Sequence, residues 1–182
     1  MTTSSEPSSS GAHPRFAEAL RELGLKELTA EIRRFPDATR TAADAAAAIG
    51  CELSQICKSL IFAAYGSPLL ERSGELGGGV PVLVLMDGAS RVDVERVREE
   101  LDAEQVTRAE AGVVRETTGY AIGGVPPFGH RTRTRVLADR SLLEHDVVWA
   151  AAGTPYTVFP MAPKALIDKA GATLVDVRER TA

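Results

Sequence analysis

The sequence predicts a single domain of the α+β (mixed α/β) class, in which helices surround a mixed, twisted β-sheet. A chain of 182 residues with 44% hydrophobic and 25% charged residues suits one domain with a real core. Helical and strand patterns alternate along most of the chain, which indicates packed layers of both kinds. From residue 131 onward several strand patterns follow one another directly, and this argues against a doubly wound parallel sheet.

Each element has a local reason, beginning at the N-terminus. Residues 1–13 are rich in Ser and have almost nothing to bury, so we expect a disordered tail before a domain at 14–182. The tail lacks a basic segment followed by an apolar one, so it is not a signal peptide. Apolar side chains at helical spacing predict a helix over 14–25. Alternation of apolar and polar residues over 28–32 predicts a short strand.

The segment from 41 to 65 predicts two helical segments and a buried strand. Thr41 can cap a helix, with Asp44 as the weaker, Asp form of a capping box, and Gly50 can end it. The alanine run between them favours helix. Residues 52–57 predict a short helical turn, and the apolar run 58–65 predicts a buried strand.

The middle of the chain continues the alternation. Glycine-rich residues 66–79 predict a mobile hairpin tip between that strand and a second buried strand at 80–88. A helix over 93–101 follows, with an aspartate at its start and apolar residues on one side. A short strand at 105–107 and a helix at 109–119 come next.

The C-terminal part contains the consecutive strands. Strict alternation over 131–139 predicts a strand with an arginine face. No internal repeat is present, so these elements complete the same domain. The remaining patterns predict a turn at 142–146, strands at 147–153 and 156–161, a helix at 163–171 and a last strand at 173–177.

Composition excludes several classes of function. The net charge is −4 and the pI is near 5.5, so any nucleic-acid contact has to be local. No P-loop, G-x-G-x-x-G or G-x-S-x-G motif is present, so we expect no cofactor and no catalytic triad. Two cysteines and three histidines without CxxC or HExxH spacing predict neither a disulfide framework nor a metal site. No apolar run approaches the ~18 residues of a membrane span, and we expect a cytoplasmic protein.

The segment TTGYAIGGVPPFGH is the most unusual stretch. Gly123 and Gly124 allow backbone N–H groups to approach a ligand, and Pro126 and Pro127 then fix the loop so that these donors are preorganised. Such donors stabilise the negative charge that develops in acyl transfer. Gly153 in AAGTPY repeats the pattern at the end of a strand. The alternative is that both segments are only tight turns between strands.

Cations form the second candidate feature. Lys58 opens an apolar run at a sheet end, where binding sites often lie; alternatively, its stem covers the core while its head is in water. His130 is followed by Arg131, Arg133 and Arg135, a local basic stripe on an acidic protein. This stripe suits a phosphate or a nucleic-acid backbone. The alternative is a solvated sheet face protected by charge.

The chain resembles the YbaK/prolyl-tRNA-synthetase-associated editing domain through four segments in order: CKSLIFAA, VLVLMDGASRVDVERVREEL, ETTGYAIGGVPPFGH and VVWAAAGTPYTVFPM. The resemblance covers the chain from about Arg15 to Val177. It implies a mixed, partly barrel-like sheet with surrounding helices. It also implies a trans-acting aminoacyl-tRNA deacylase, which hydrolyses the ester joining a wrong amino acid to the 3′-terminal adenosine of a tRNA. The expected partner is aminoacylated tRNA, and the acidic pI predicts either shallow contact at its acceptor end or help from an aminoacyl-tRNA synthetase.

The functional positions of that family are carried over residue by residue. Lys58 matches a lysine thought to hold the terminal nucleotide, and Gly153 matches the glycine of a second pocket loop. The residues from Gly123 to Pro126 match the loop that walls the aminoacyl pocket. The resemblance thus implies a catalytic set of Lys58, Gly124 and Gly153. We accordingly predict substrate binding by Gly123, Val125, Pro126, Pro127, Thr154 and Tyr156. From the basic stripe we predict tRNA binding by His130, Arg131 and Arg133.

One departure from the family bears on the substrate. In the cysteinyl-specific branch an acidic residue follows the second loop glycine, whereas no residue between Asp146 and Asp168 carries a carboxylate here. Cleavage of alanyl, seryl or threonyl esters is therefore at least as well supported as cleavage of cysteinyl esters. Two rival hypotheses stay open. The same pocket could serve a non-catalytic module that binds an amino acid, a nucleotide or a tRNA end, or Cys57 could act as a nucleophile beside Lys58.

Overall fold

The computed structural model describes residues 11–70 and 79–180. In these ranges the α-helices are α1 Pro14–Glu22, α2 Ala42–Ile49, α3 Val94–Glu100, α4 Ala111–Thr118 and α5 Pro163–Lys169. The strands are β1 Arg33–Arg34, β2 Cys57–Tyr65, β3 Val80–Asp87, β4 Gln105–Arg108, β5 Arg135–Asp139, β6 Val148–Ala151, β7 Thr157–Met161 and β8 Thr173–Val175. Short 3₁₀ segments cover Lys26–Glu31, Leu53–Gln55 and Arg140–Glu144.

The strands form two sheets. The five-stranded sheet has the order β4-β2-β3-β5-β8, in which β2 runs antiparallel to β3 and β4 while β3, β5 and β8 are parallel. The three-stranded sheet, β1-β7-β6, is antiparallel. An isolated parallel bridge between Ile56 and Trp149 joins the two sheets, and no closed barrel forms among the described residues. The predicted α+β fold with a mixed sheet is thus confirmed.

The core lies on both faces of the five-stranded sheet, as β3 shows most clearly. Leu83 and Leu85 belong to the larger apolar cluster, which includes residues of α1, α4 and the three-stranded sheet. Val84 and Met86 belong to a second cluster, which α3 covers through Val97. A strand that is buried on both faces is apolar along its whole length, which explains the run VPVLVLMD.

Helix α2 begins and ends where its local signals predict. The Thr41 hydroxyl accepts a hydrogen bond from the Asp44 N–H at 3.1 Å, and the Asp44 carboxylate accepts one from the Thr41 N–H at 3.2 Å. This reciprocal pair is the predicted capping box. Gly50 ends the helix with a φ of 83°, which glycine adopts without a steric penalty.

The strand predicted over 28–32 is wrong. Residues Lys26–Glu31 form a 3₁₀ helix, and only Arg33 and Arg34 are extended, paired with β7. Leu25, Leu28 and Ile32 all pack against the larger apolar cluster. Their spacing of three and four residues is helical, and it overrides the short alternation at Leu28, Ala30 and Ile32.

The strand predicted over 131–139 forms only in its second half. The N–H groups of Arg131 and Thr132 donate to the carbonyls of Thr118 and Thr117 at 2.8 and 3.0 Å. These bonds dock the segment onto the end of α4, away from the sheet. The strand itself is Arg135–Asp139, so Arg135 alone of the stripe lies on it, and the expected three-arginine face is corrected to a basic loop plus one strand residue.

Two further predictions concern the N-terminal tail and the hairpin tip. Residues 1–10 and 71–78, which hold most of the predicted tail and hairpin tip, lie outside the described residues. The His13 ring caps α1 by accepting a hydrogen bond from the Arg15 N–H at 3.1 Å, and the His13 backbone N–H donates to the Ala152 carbonyl at 3.2 Å.

Among the helices of the described ranges, none is long and apolar enough to span a membrane.

Candidate active site

A cavity of about 280 Å³ lies where β2 begins, between the two sheets. Its interior is mainly apolar, because β2, β6, α4 and the loop after α4 each contribute aliphatic side chains. The aliphatic wall includes Ile61, Ala109, Val114, Val125 and Ala150. A volume of this size holds a small side chain together with an ester group, which fits a small acyl compound better than a large one.

The charged residues of this cavity all carry the same sign. Arg40, Lys58 and Arg108 line it, and no Asp or Glu is among its lining residues in the described part of the chain. Arg40 precedes the capping box of α2, and Arg108 ends β4 beside β2. The chain as a whole has a net charge of −4. A purely cationic rim in an acidic protein predicts a ligand with a negative charge at the cavity mouth.

Lys58 is held at this rim by the turn after β3. Its Nζ donates to the Ser90 carbonyl at 2.5 Å. Burial lowers the pKa of Lys58 most, the Asp87 carboxylate opposes that shift, and Arg108 and Arg91 lower the pKa further. The ammonium therefore loses part of its hydration and is oriented before a ligand arrives.

Asp87 supplies the buried negative charge next to that lysine. Its side chain is 3% exposed, and one carboxylate oxygen accepts from the Ala89 N–H at 2.9 Å. The other oxygen, Oδ2, is buried and makes no hydrogen bond within the described residues. The charge of this carboxylate raises the pKa of Lys58, so Asp87 favours the protonated lysine. No sequence pattern pointed to this role, because an aspartate at the end of a strand is typical of an ordinary turn.

Cys57 does not fit the nucleophile hypothesis. It lies opposite Asp87 in the β2–β3 ladder, and its side chain is buried in the larger apolar cluster. Burial, followed by the charge of Asp87, raises the pKa of Cys57 to about 12. The thiol is therefore protonated at neutral pH, whereas a cysteine nucleophile needs the thiolate.

The loop that follows α4 and contains Gly123 and Gly124, here called the glycine loop, contributes part of the cavity wall and backbone N–H donors. Ile122, Gly123 and Val125 line the cavity, and Gly123 has a φ of 90°. The Gly124 N–H donates to the Ala121 carbonyl at 3.0 Å, which makes it part of the turn. Within the described residues, the N–H groups of Gly123 and Val125 make no hydrogen bond. These two amides, on either side of Gly124, are therefore free to donate to a ligand at the cavity wall.

Gly124 instead determines how closely the glycine loop approaches the second glycine loop, which lies between β6 and β7 and contains Gly153 and Thr154. A Cβ on Gly124 would lie 2.8 Å from the Cα of Thr154. A Cβ on Gly153, which has a φ of 95°, would collide with the side chain of His13, before α1. The Thr154 hydroxyl pairs with that of Thr157 at 2.7 Å, and Thr157 lines the cavity. Gly124 and Thr154 therefore lie directly behind the cavity wall, whereas Gly153 packs against the residue before α1.

The second half of the glycine loop is anchored from behind. His130 Nε2 hydrogen-bonds with the Pro126 carbonyl at 2.6 Å, and the Tyr120 hydroxyl donates to the Gly129 carbonyl at 2.7 Å. Burial lowers the pKa of His130, and its bond to Pro126 opposes that shift. A neutral imidazole that donates to this carbonyl fits the site. Pro126 is buried, so this bond fixes the loop at the point where its glycine half ends.

A separate basic groove lies at the other end of β3. The cavity adjoins Lys58, which pairs with Met86 near the end of β3, whereas the groove is lined by Val80 and Pro81 at its start. The groove measures about 1040 Å³. Its charged or titratable lining residues in the described part of the chain are His130, Arg131, Arg133, Arg135, Lys169 and a single carboxylate, Glu22.

The sequence-predicted residues thus divide between the two sites. Lys58, Gly123 and Val125 line the cavity, Gly124, Pro126 and Thr154 lie next to its wall, and Gly153 packs against His13. Pro127, His130, Arg131 and Arg133 line the groove, and Tyr156 is 43% exposed outside both. Sequence reasoning missed Arg40, Arg108 and Trp149 as lining residues, because elements distant in sequence bring them together. The described residues contain no group of three or more His, Cys, Asp or Glu that could hold a metal ion.

Comparisons with known proteins identify the family and similar folds. The family model of the aminoacyl-tRNA editing domain matches residues 36–169. The uncharacterised protein YwhH of Bacillus subtilis (strain 168) is 29% identical over 136 residues, which are 75% of this chain and 78% of that protein. A crystal structure of a proposed trans-editing enzyme for prolyl-tRNA synthetase is 36% identical with a TM-score of 0.78, over 97% of this chain and 100% of that one. The crystal structure of the hypothetical protein APE2540 is 28% identical with a TM-score of 0.75, over 91% of this chain and 99% of that one.

Proposed function

This chain belongs to the aminoacyl-tRNA editing domain family, and from that premise we propose that it is a trans-acting aminoacyl-tRNA deacylase. It would hydrolyse the ester between a small, wrongly attached amino acid and the 3′-terminal adenosine of a tRNA. The observation that carries this proposal is the cavity that combines an aliphatic interior with Arg40, Lys58 and Arg108 at its rim. An aminoacyl-tRNA end has the matching chemistry, because a small acyl group is joined there to a phosphate-bearing nucleotide. We place the activity in the cytoplasm, where charged tRNA is used.

The proposed reaction needs little from side chains. Water attacks the ester carbonyl carbon, the carbonyl oxygen becomes an oxyanion, and the bond to the ribose oxygen then breaks. The ribose oxygen takes up a proton, and the products are the free amino acid and the uncharged tRNA. An aminoacyl ester is already activated, so positioning the water and stabilising the oxyanion are the main requirements. The tRNA's own neighbouring ribose hydroxyl can help orient the water, which accounts for a site without a triad.

The N–H groups of Gly123 and Val125 are the proposed oxyanion donors. Both residues line the cavity, and neither amide has a hydrogen bond within the described residues. Gly124 was expected to donate directly; in this proposal it acts by allowing the loop to pack against Thr154. Gly153 instead allows its own loop to pack against His13, the residue before α1. Lys58 holds the terminal nucleotide rather than acting on the ester.

The size of the cavity sets the proposed range of substrates. The aliphatic wall of Ile61, Val114 and Val125 excludes a large side chain by steric conflict, whereas a difference of one methyl group or one hydroxyl changes binding only modestly. Alanyl, seryl and threonyl esters therefore stay open as substrates. Because one structural relative is described as acting for prolyl-tRNA synthetase, tRNA specific for proline is the first tRNA to test.

The groove is proposed to contact the body of the same tRNA. His130, Arg131 and Arg133 line it, and none of the ion pairs among the described residues involves these arginines. Unpaired arginines are available for backbone phosphates, which position a nucleic acid without reading its sequence. A synthetase that hands over the tRNA would supplement this contact on an otherwise acidic surface.

The deciding experiment incubates the protein with a panel of mischarged tRNAs and measures the released amino acid. We expect release from at least one ester of a small amino acid, and a rate about 10- to 100-fold lower for Lys58→Ala, because the variant lacks one charge-assisted hydrogen bond to the nucleotide. Arg180→Ala, an exposed cation in the C-terminal segment, is the matched control and should act like the wild type. Release no faster than in buffer for every ester would refute a deacylase and favour the non-catalytic binding module.

A further inference from the structure

A cation held against an aromatic ring lies beside the mouth of the cavity. The guanidinium carbon of Arg33 is 4.7 Å from the ring centroid of Trp149. Trp149 lines the cavity, and Arg33 pairs in the β1–β7 ladder with Val158, which also lines it. This Arg33–Trp149 pair is therefore continuous with the proposed active site, although Arg33 itself does not line the cavity.

The exposed face of this pair is the guanidinium. Trp149 is half-buried and packs against the small apolar cluster of Ala45, Ala46 and Ile56, while Arg33 is exposed. Arg33 makes no ion pair with a carboxylate among the described residues. Its planar head is restrained by the indole and remains free for a ligand on its outer side.

The segment after β1 adds a second cation on the same side. Phe35 and Thr39 donate backbone hydrogen bonds to the carbonyls of Tyr156 and Pro155, both at 2.8 Å, so this segment is fastened to the second glycine loop. It brings Arg40 to the cavity lining. Arg40 and Trp149 both line the cavity, so Arg40 and the Arg33 guanidinium held over Trp149 are two cations beside it.

We propose that Arg33, held over Trp149, is a stacking platform for the penultimate base at the 3′ end of the tRNA, with Arg40 contacting the phosphate between that base and the terminal adenosine. The proposal rests on the function proposed above and extends it by one nucleotide. Unstacked RNA ends are commonly held on aromatic rings or on guanidinium planes. A guanidinium that is already oriented loses less conformational freedom when a base stacks on it.

The test measures binding of an uncharged RNA microhelix that ends in CCA, with and without the base of its penultimate nucleotide. Wild-type protein should bind the complete microhelix at least about fivefold more tightly than the abasic one, as expected for one stacked base. Arg33→Lys keeps the charge but has no planar head, so it should bind both RNAs alike, at the weaker affinity. Arg34→Ala, a change at the neighbouring exposed arginine of β1, should retain the wild-type preference.

The outcomes separate this proposal from the function that it extends. Equal binding of the two RNAs by the wild-type protein, or an unchanged preference in Arg33→Lys, would overturn the stacking platform. A lower Tm for Arg33→Ala with unchanged RNA preference would show a purely structural pair and also overturn it. In each case the released amino acid from mischarged tRNA remains a separate measurement, so deacylation can persist while the platform fails.

Discussion

At the scale of single residues, the ionisation of Lys58 depends on a carboxylate that no ligand can reach. Burial and two arginines disfavour the ammonium, and the Asp87 carboxylate favours it. Asp87 is itself buried, with one oxygen unpartnered within the described residues, so water screens its charge only weakly. Asp87 is accordingly a positioning residue, because it acts on the ligand only through Lys58.

Replacing that carboxylate should change the pH range of binding. In Asp87→Asn the charge that raises the pKa of Lys58 is gone, so the pKa falls further. Because the protonated lysine is proposed to hold the terminal nucleotide, affinity should be lost as pH rises through this pKa. We therefore expect the alkaline loss of affinity for an uncharged CCA microhelix to begin at lower pH than in wild type. The control Glu116→Gln, an exposed change on α4, should leave the profile unmoved; an unmoved profile in Asp87→Asn would contradict the pairing.

His130 should make the fold sensitive to acid. Its pKa is lowered in the folded state by burial, so the unfolded chain takes up the proton first as pH falls. The associated stability is present above the ordinary histidine pKa and is lost as pH falls toward the lower folded value. We expect Tm to drop more between about pH 7.5 and about pH 5.5 in wild type than in His130→Asn. Equal drops in the two proteins would show that His130 does not titrate in this way.

At the scale of elements, the glycines and the prolines of the loop between α4 and β5 have different roles. Its glycine half, with Gly123, lines the cavity, and its proline half, with Pro127, lines the groove. The two halves meet at Pro126, whose carbonyl His130 holds. The flexible residues therefore lie where backbone must approach a ligand, and the stiff ones where the loop is anchored.

A methyl group on Gly124 tests that packing. In Gly124→Ala the new Cβ would lie 2.8 Å from backbone of Thr154, so the two loops have to separate. We expect a loss of about 1–3 kcal/mol in the free energy of unfolding and a lower deacylation rate. Gly112→Ala, where a Cβ meets nothing within 4 Å in α4, should instead be neutral or stabilising by up to about 1 kcal/mol. For both variants, denaturant unfolding measures the free energy of unfolding and amino acid release measures the deacylation rate. Wild-type values of both quantities in Gly124→Ala would contradict this role of the glycine.

Elements with strong local signals could be predicted from the sequence, and elements set by tertiary partners could not. The Thr41 capping box and strand β3, which is apolar on both faces, are specified by local sequence, and both formed as predicted. Residues 28–32 and Arg131–Thr134 showed alternation, but contacts with the core and with the end of α4 decided their conformation. Of the candidate site, Lys58 and the glycine loop could be named. Arg40, Arg108 and Asp87 could not, because their roles arise only when separate strands meet.

At the scale of the whole molecule, charge is distributed unevenly. The chain has a net charge of −4, yet the cavity rim is cationic and the groove has a single carboxylate, Glu22, among its described lining residues. The glycine loop separates these two positive regions. A tRNA that spans both would place its acyl end in the cavity and its backbone along the groove, which reconciles an acidic protein with an RNA substrate.

Removing the groove arginines should weaken tRNA binding without impairing recognition of its end. For Arg131→Gln/Arg133→Gln we expect lower affinity for full-length tRNA, and a slope of log affinity against log salt smaller by about 0.7–0.9 for each phosphate that the variant no longer neutralises. Hydrolysis of a short aminoacyl-nucleotide should be unchanged. The matched control is Arg96→Gln/Arg98→Gln, whose charges are already paired with carboxylates. An unaltered salt slope in the groove variant would show that the groove does not contact the RNA.

The most direct measurement for the proposed active site is a crystal structure with a non-hydrolysable amide analogue of alanyl-adenosine. We predict its methyl group among Ile61, Val114 and Val125, its carbonyl oxygen facing the amides of Gly123 and Val125, and its ribose end beside Lys58. An analogue bound in the basic groove instead, or one whose carbonyl points away from the glycine loop, would contradict the central claim that this cavity holds the aminoacyl ester.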